Sequence, residues 1–455
     1  MSSAPTPAES IVDVDKLSYE IFSILESKFL FGYDDHPKLL LSSAASPGGL
    51  QPPTANAAGG RVRILSIDGG GRPSDALLAA ASLACLESSL RRHSGNPSAR
   101  VADFFDVAAG SGAGGVLAAL LFTRGPDGSA LLSADDALRL LLARSSRPSS
   151  FAPARRGPLG WALSRRHGAV LRRVFGDATL RDTVKPVLVP CYDLATGAPF
   201  MFSRADAVEA EGYDFRIREV CAATCADPAA GAAPVEMRSA DGRTRIAAVG
   251  GGVAMGNPSA AAITHVLNNR QEFPFATGME DLMLLSLGST SGGTLGAEAG
   301  AGRRRPVPSQ AELVRIAGEG VADVVDQAIA MAFGNDRTNN YVRIQANGFQ
   351  SDHNTFKSSN ASKLLGLLEK QLSQKNVESM LFRGKKIAEQ TNAEKLEWFA
   401  GELVKEDARR KKSKIPSVVF KQVMTPRTSS STTAPAITPA SKTSPARTST
   451  SPVTS

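Results

Sequence analysis

Three times in this sequence a short β-type run stops at a cluster of glycines, and a helix-forming stretch follows. Val62-Arg63-Ile64-Leu65-Ser66-Ile67 leads into Asp68-Gly69-Gly70-Gly71-Arg72 and a helical stretch from Asp75 to Leu90. Phe104 to Ala109 leads into Gly110-Ser111-Gly112-Ala113-Gly114-Gly115, with Val116 to Phe122 starting the next helix. Arg245 to Val249 leads into Gly250-Gly251-Gly252, and a helix opens near Asn257-Pro258. A strand feeding a helix through a tight turn is the entry unit of an α/β fold. Further strand candidates at Val187–Pro190 and Leu282–Leu287 alternate with helical stretches, so the pattern predicts a largely parallel sheet covered on both faces.

Glycines directly after a strand let backbone N–H groups converge on one point, as a phosphate cradle or an oxyanion hole does. Neither a G-x-G-x-x-G fingerprint nor the Gly-Lys-Ser/Thr of a P-loop is completed by the first cluster, because Arg72, Pro73 and Ser74 follow it. The second cluster has the outline of a nucleophile elbow, G-x-S-x-G, with Gly112 where the serine would stand. Ser111 precedes the tip, and neighbouring residues of an elbow point in different directions, so it is a poor substitute.

The ends of the chain read differently. Ile11 to Leu30 is amphipathic, with Leu17, Ile21, Leu25 and Phe29 at helical spacing, and Pro47 to Gly60 is a linker. After Gln345 the chain is expected to be helical from about Ala361 to Glu406. The net charge of +8 is mostly a tail property: nine basic residues and no acid lie between Ala408 and Ser455, which leaves the rest close to neutral. Beyond Pro426 the Ser/Thr/Pro/Ala composition cannot offset chain entropy. The expected segments are residues 1–60 (helix and linker), 61–352 (main domain), 353–410 (helical extension) and 411–455 (basic, disordered tail).

No secretory signal is legible at the N-terminus, and the longest apolar run, Ala76 to Leu86, is too short to span a bilayer. The expectation is a cytoplasmic protein whose membrane contact, if any, is peripheral. Cys85, Cys191, Cys221 and Cys225 are too few for a disulfide framework and have no histidine spaced to complete a zinc site, so they read as plain thiols. His36, His93, His167, His265 and His353 have no spacing that suggests a base or a metal site, and no cofactor is expected.

In order, the three clusters resemble those of the patatin-like phospholipases: a D-G-G-G-x-R loop, a G-x-S-x-G-G elbow, and a D-G-G/A motif followed by Asn-Pro. Phe175 to Leu180, Val187 to Pro190, Asp193 and Pro199 to Phe202 are similar to that family's middle strands. Ala223-Thr224-Cys225-Ala226-Asp227-Pro228 resembles its Ala-Thr-Ser-Ala-Ala-Pro stretch. The resemblance covers about Arg61 to Gln345. It extends to a plant group with glycine in place of the elbow serine, which the Tyr19–Leu30 run also fits.

The resemblance implies a three-layer α/β fold and lipid acyl hydrolysis by a Ser–Asp dyad without histidine. Carried over, the nucleophile position is Gly112, the dyad acid position is Gly250, and Gly69 and Gly70 supply oxyanion N–H groups. Glycine can neither attack an ester nor take a proton. Arg72 also stands one place earlier than the family's arginine. The expected function is lipid binding, of phospholipid or galactolipid, without Ser–Asp hydrolysis. The rival is a working nonspecific acyl hydrolase with a non-standard site.

One more segment points to membranes. From Arg144 to Arg181 there are nine arginines and one acid, Asp177, interleaved with bulky apolar residues. Arg155, Arg156, Trp161, Arg165 and Arg166 suit an anionic lipid surface, although a solvated Arg-rich face would have the same composition. No motif supports nucleic acid as a partner.

Overall fold

The computed structural model describes residues 60–145, 151–152, 168–229, 231–289, 309–345, 361–380 and 384–421. The amphipathic N-terminal stretch, the membrane candidates Arg155 to Arg166 and the Ser/Thr/Pro-rich tail lie outside the described residues.

An eight-stranded sheet forms the centre: β1 (Val62–Ile67), β2 (Val107–Gly110), β3 (Val187–Asp193), β4 (Ala198–Ser203), β5 (Val235–Arg238), β6 (Arg245–Val249), β7 (Leu282–Leu287) and β8 (Tyr341–Ile344). The order is β5-β6-β3-β2-β1-β7-β8, with β4 also on β3. Strands β3, β2, β1, β7 and β8 are mutually parallel, while β4, β5 and β6 add antiparallel pairings beside β3. The mostly parallel α/β architecture read from the sequence is therefore present. Its β1 and β7 boundaries match the expected runs, but the run expected to begin at Phe104 does not. Val101–Phe104 is a helical turn, and pairing starts only at Val107.

Alternation along β1 divides the core. Val62 and Ile64 face a layer built by α5 (Ser259–Asn268) and α6 (Gln310–Ala332), where Ile263, Val266, Ile329 and Phe333, the residue that caps the end of α6, are buried. Leu65 and Ile67 face the opposite layer of α1 (Leu77–Ser94), α2 (Gly112–Phe122), α3 (Ala134–Ser145) and α4 (Ile217–Thr224). Every residue of α2 is buried, so it is a core helix and not an amphipathic one.

The C-terminal part departs from the expectation in two ways. Between α7 (Ala361–Leu372) and α8 (Asn392–Lys412) lies an antiparallel hairpin of β9 (Lys375–Met380) and β10 (Gly384–Thr391), where continuous helix was expected. Helical spacing of apolar residues resumes only in α8, where Thr391 caps the start by accepting the Glu394 N–H. Nor is α8 an appendage: Leu396, Phe399 and Leu403 are fully buried against the core that includes α1. Near its end, Arg410 donates to Asp106 at 2.7 Å, and Asp106 also holds the buried Arg63 of β1. The start of the expected tail is fixed too, because the Val419 N–H donates to the Glu272 carbonyl at 2.8 Å.

Candidate functional site

Parallel register sets where the glycines meet. Ile67 pairs with Gly110 on one side and with Leu287 on the other, so β1, β2 and β7 end at one level. The first glycine cluster begins immediately beyond that level and the second begins at it, in the crevice at the carboxyl ends where open α/β sheets bind ligands. The third arrives from antiparallel β6, whose Val249 pairs with Tyr192 of β3. A Cβ added at Gly252 would lie 3.6 Å from the Gly69 carbonyl oxygen, and one at Gly251 would lie 3.1 Å from the Ser111 hydroxyl. All three clusters thus converge.

The elbow is formed. Ser111 is extended, and α2 starts directly at Gly112, whose φ of +54° is the left-handed conformation of a strained elbow tip. The cluster expected to form a turn before the helix is the helix's own first turn. Thr224 fixes the tip from below: its hydroxyl accepts the Gly112 N–H at 2.9 Å and donates to the Pro190 carbonyl at 2.8 Å.

The first glycine loop, however, leans onto the elbow. The Ala113 N–H donates to the Gly70 carbonyl at 2.7 Å. In an elbow the N–H after the tip is one of the oxyanion donors. Here a carbonyl of the chain itself occupies it. A Cβ added at Gly112 would lie 2.4 Å from that same Gly70 oxygen, so the loop fills the space a side chain would take. The cause is legible in the next residues. Pro73 opens a 3-10 turn, Pro73–Ala76, directly after the glycines, and the Asp75 carboxylate accepts the Arg72 N–H at 3.0 Å. The loop is closed off one residue early, and Arg72 points to solvent.

Gly250, by contrast, has an ordinary φ of −50°, and an added Cβ would meet the Ala226 carbonyl oxygen at 3.1 Å, a tight contact. The backbone N of Asp227, an acid that sequence reading passed over, would lie 3.4 Å from that Cβ, while its carboxylate accepts the Ala229 N–H at 2.9 Å. Asp227 follows Ala226, and its Cβ would lie 3.0 Å from a Cβ on Gly71. The only signal for it in the sequence is an acid where the related stretch has alanine.

Behind the loop, the Asp68 N–H donates to the Leu287 carbonyl at 2.8 Å, and its side chain is held as well. Its carboxylate accepts from Arg343 of β8 at 2.6 Å, both side chains being buried, and Arg343 also donates to Ser286 at 2.7 Å. Burial raises the pKa of Asp68, and Arg343 opposes that rise. Burial also disfavours the Arg343 cation, but Asp68 and Asp326 outweigh it and raise its pKa. Ser66 joins a hydroxyl chain as acceptor from Ser259 at 2.8 Å.

Other candidate groups are inert. The Ser111 hydroxyl is fully buried and has no hydrogen-bond partner among the described residues. Burial, with Asp193 adding to it, pushes the Cys191 thiol up to about 12, and burial raises Cys221 and Cys225 as well. Among the described residues no group of three or more His, Cys, Asp or Glu side chains could hold a metal ion.

Residues 65–263, from within β1 to within α5, match the patatin-like phospholipase family. Patatin-like protein 3 of Oryza sativa subsp. japonica is 53% identical over 407 residues, covering 87% of this chain and 92% of the relative. The chain belongs to the patatin-like phospholipase family. Patatin-like protein 6 of Arabidopsis thaliana is 46% identical over 91% of this chain and 88% of its own length. Another Arabidopsis relative, 38% identical over 86% of this chain and 93% of its own length, is called probable inactive patatin-like protein 9. The family is thus one of plant lipid acyl hydrolase relatives in which a member has been described as probably inactive. No described helix is long and apolar enough to cross a membrane.

Proposed function

We infer that this family member binds lipid, a phospholipid or galactolipid at a membrane surface reached from the cytoplasm, and does not hydrolyse it by Ser–Asp chemistry. The observation that carries the reading is the Gly70 carbonyl bonded to the Ala113 N–H at 2.7 Å. Three requirements of the reaction then fail together. No side chain at Gly112 can attack, none at Gly250 can take the proton, and a donor for the tetrahedral oxyanion is occupied. A site that had lost only its serine would keep an open oxyanion hole. The test is fatty-acid release from phosphatidylcholine and galactolipid by the purified protein, against a mock preparation and a Gly112→Ser/Gly250→Asp variant. Release by the wild-type protein at a family-like rate ends the reading.

Asp227 supports a second reading, a weak acyl hydrolase releasing fatty acid from phospholipid or galactolipid. Its Cβ lies beside Gly71 and its Oδ1 accepts the Ala229 N–H, so its other oxygen could hold a water in place of a side-chain nucleophile. Wild-type release that disappears in Asp227→Asn would establish it.

A further inference from the structure

The α6 helix turns an apolar face outward. Val314, Ala317, Val321, Val324, Ala328 and Met331 follow one another at steps of three and four, and at 3.6 residues per turn they fall within an arc of about 100°. All six are exposed; Val321, Val324 and Met331 keep 56%, 64% and 62% of their surface open. Ile329, Ala330 and Phe333 on the inner face are buried, so the helix is anchored and the outer stripe is surplus to the core. A contiguous apolar stripe of this length marks an interaction surface.

Its place in the fold is specific. A Cβ added at Gly256 would lie 3.7 Å from the Gly318 carbonyl oxygen and 3.9 Å from the Ala322 Cβ, and one added at Gly318 would lie 3.7 Å from the Gly252 carbonyl oxygen. The helix therefore lies against that loop, and Val253, between the two glycines, is itself 52% exposed. The stripe is continuous with the rim of the candidate site.

Two features decide what covers it. The stripe is about 27 Å long at 1.5 Å per residue and one helix face wide, which falls well short of the roughly 800 Å² per partner of a stable protein interface. The positions flanking it, Gly318, Gly320, Val325 and Gln327, are uncharged, so nothing fixes the register that a helical partner needs. A fluid apolar boundary requires neither area nor register. Charge then selects among lipids. No cation stands in the stripe; Arg315, on the other side of the helix, pairs with Glu319 at 2.9 Å; Glu312 and Asp323 are exposed. Such a face suits lipids with uncharged or zwitterionic headgroups.

We propose that the outer face of α6 docks the protein on a neutral bilayer, laying the rim of the glycine-loop site against the lipid. This rests on the lipid-binding reading above. The test is flotation of the full chain with phosphatidylcholine–galactolipid vesicles, without and with phosphatidic acid, at 0.1 and 0.5 M NaCl. Val321→Asp/Val324→Asp and Val324→Trp are run beside the wild-type protein, with melting curves for each.

Wild-type protein is expected to float with neutral vesicles equally at both salt concentrations. The double aspartate variant should bind at least tenfold less, and Val324→Trp should bind more, each with an unchanged melting curve because both sites are exposed. Unaltered binding by both variants would overturn the docking face while leaving lipid binding intact. Binding only to vesicles with phosphatidic acid, lost at 0.5 M NaCl, would also overturn it, and would transfer docking to a basic surface. No binding to any vesicle would overturn docking and the lipid reading together. If Val321→Asp/Val324→Asp instead converts a dimer to a monomer by light scattering, the face is an interface between copies and the proposal fails.

Discussion

The Gly70 carbonyl and the Ala113 N–H face each other at 2.7 Å, and their bond lies where an elbow serine and its oxyanion would meet. The glycine tip and the leaning loop depend on each other. The carbonyl can approach because position 112 has no Cβ, and the loop in turn leaves no room for one.

Restoring the serine alone should therefore fail. A Cβ at 112 would stand 2.4 Å from the Gly70 oxygen at a φ of +54°, so the loop must move and break the Ala113 bond. Gly112→Ser and Gly112→Ala should each lose about 1–3 kcal/mol of stability, the range for a side chain forced into a left-handed conformation with crowding. Urea unfolding measures this. Neither variant should release fatty acid faster than the wild-type protein, and a Gly112→Ser protein that is both stable and active would contradict the interlock.

Thr224 should matter more than a buried threonine in a core helix would. Its hydroxyl ties the Gly112 N–H to the Pro190 carbonyl, at 2.9 and 2.8 Å. Thr224→Val keeps the shape and leaves two buried polar groups unpaired, costing about 1–3 kcal/mol. Thr224→Ser keeps the hydroxyl and loses one methyl, about 0.8 kcal/mol. Equal losses in the two variants would mean the methyl, not the hydrogen bonds, holds the elbow.

The contrast between backbone and site explains what could be read from the sequence. β1 and β7 were legible because buried parallel strands are continuous apolar runs bounded by glycines. The meeting of the Gly69, Ser111 and Gly251 segments follows from their places at strand ends. The direction of the Gly70 carbonyl does not, because a peptide plane's orientation in a glycine loop leaves no trace in side-chain pattern; only the displaced Arg72-Pro73 pair hinted at it. Asp68 and Arg343 are 275 positions apart and meet only through the β1–β7–β8 order. The β9–β10 pairing was missed because Lys375, Asn376, Glu378 and Lys386 are polar, and Asn376 is buried by bonds to Arg343 of β8 and Asn392 of α8 that local periodicity does not report.

Breaking the Asp68–Arg343 pair should be costly and asymmetric. Arg343→Met leaves the Asp68 carboxylate buried without its cation, and removal of one partner from a buried pair costs about 3–5 kcal/mol. Asp68→Asn/Arg343→Met removes both charges and should recover part of that loss. Because Asp68 carries the first glycine loop, Arg343→Met should also speed hydrogen exchange at Ala113. A double variant no more stable than Arg343→Met would show that packing, not charge, dominates there.

Acid sensitivity should begin at His265. Burial, with Lys421 nearby, lowers its pKa to about 4, and its Nε2 is buried without a hydrogen-bond partner. In the unfolded chain it titrates near 6.5. A group whose folded pKa is depressed gives the unfolded state the proton first. His265's contribution is thus fully present above pH 6.5 and is lost as pH falls toward 4, a swing of about 3 kcal/mol. Asp106, held by Arg63 and Arg410 against its burial at about 2, loses its contribution only below its unfolded value of 3.8, so the two windows separate. Urea midpoints at pH 7, 6, 5 and 4.5 should fall for the wild-type protein and fall much less for His265→Gln. Lys421→Ala removes a repelling charge and should shrink the fall. Parallel curves for the wild-type protein and His265→Gln would assign the acid loss to other groups.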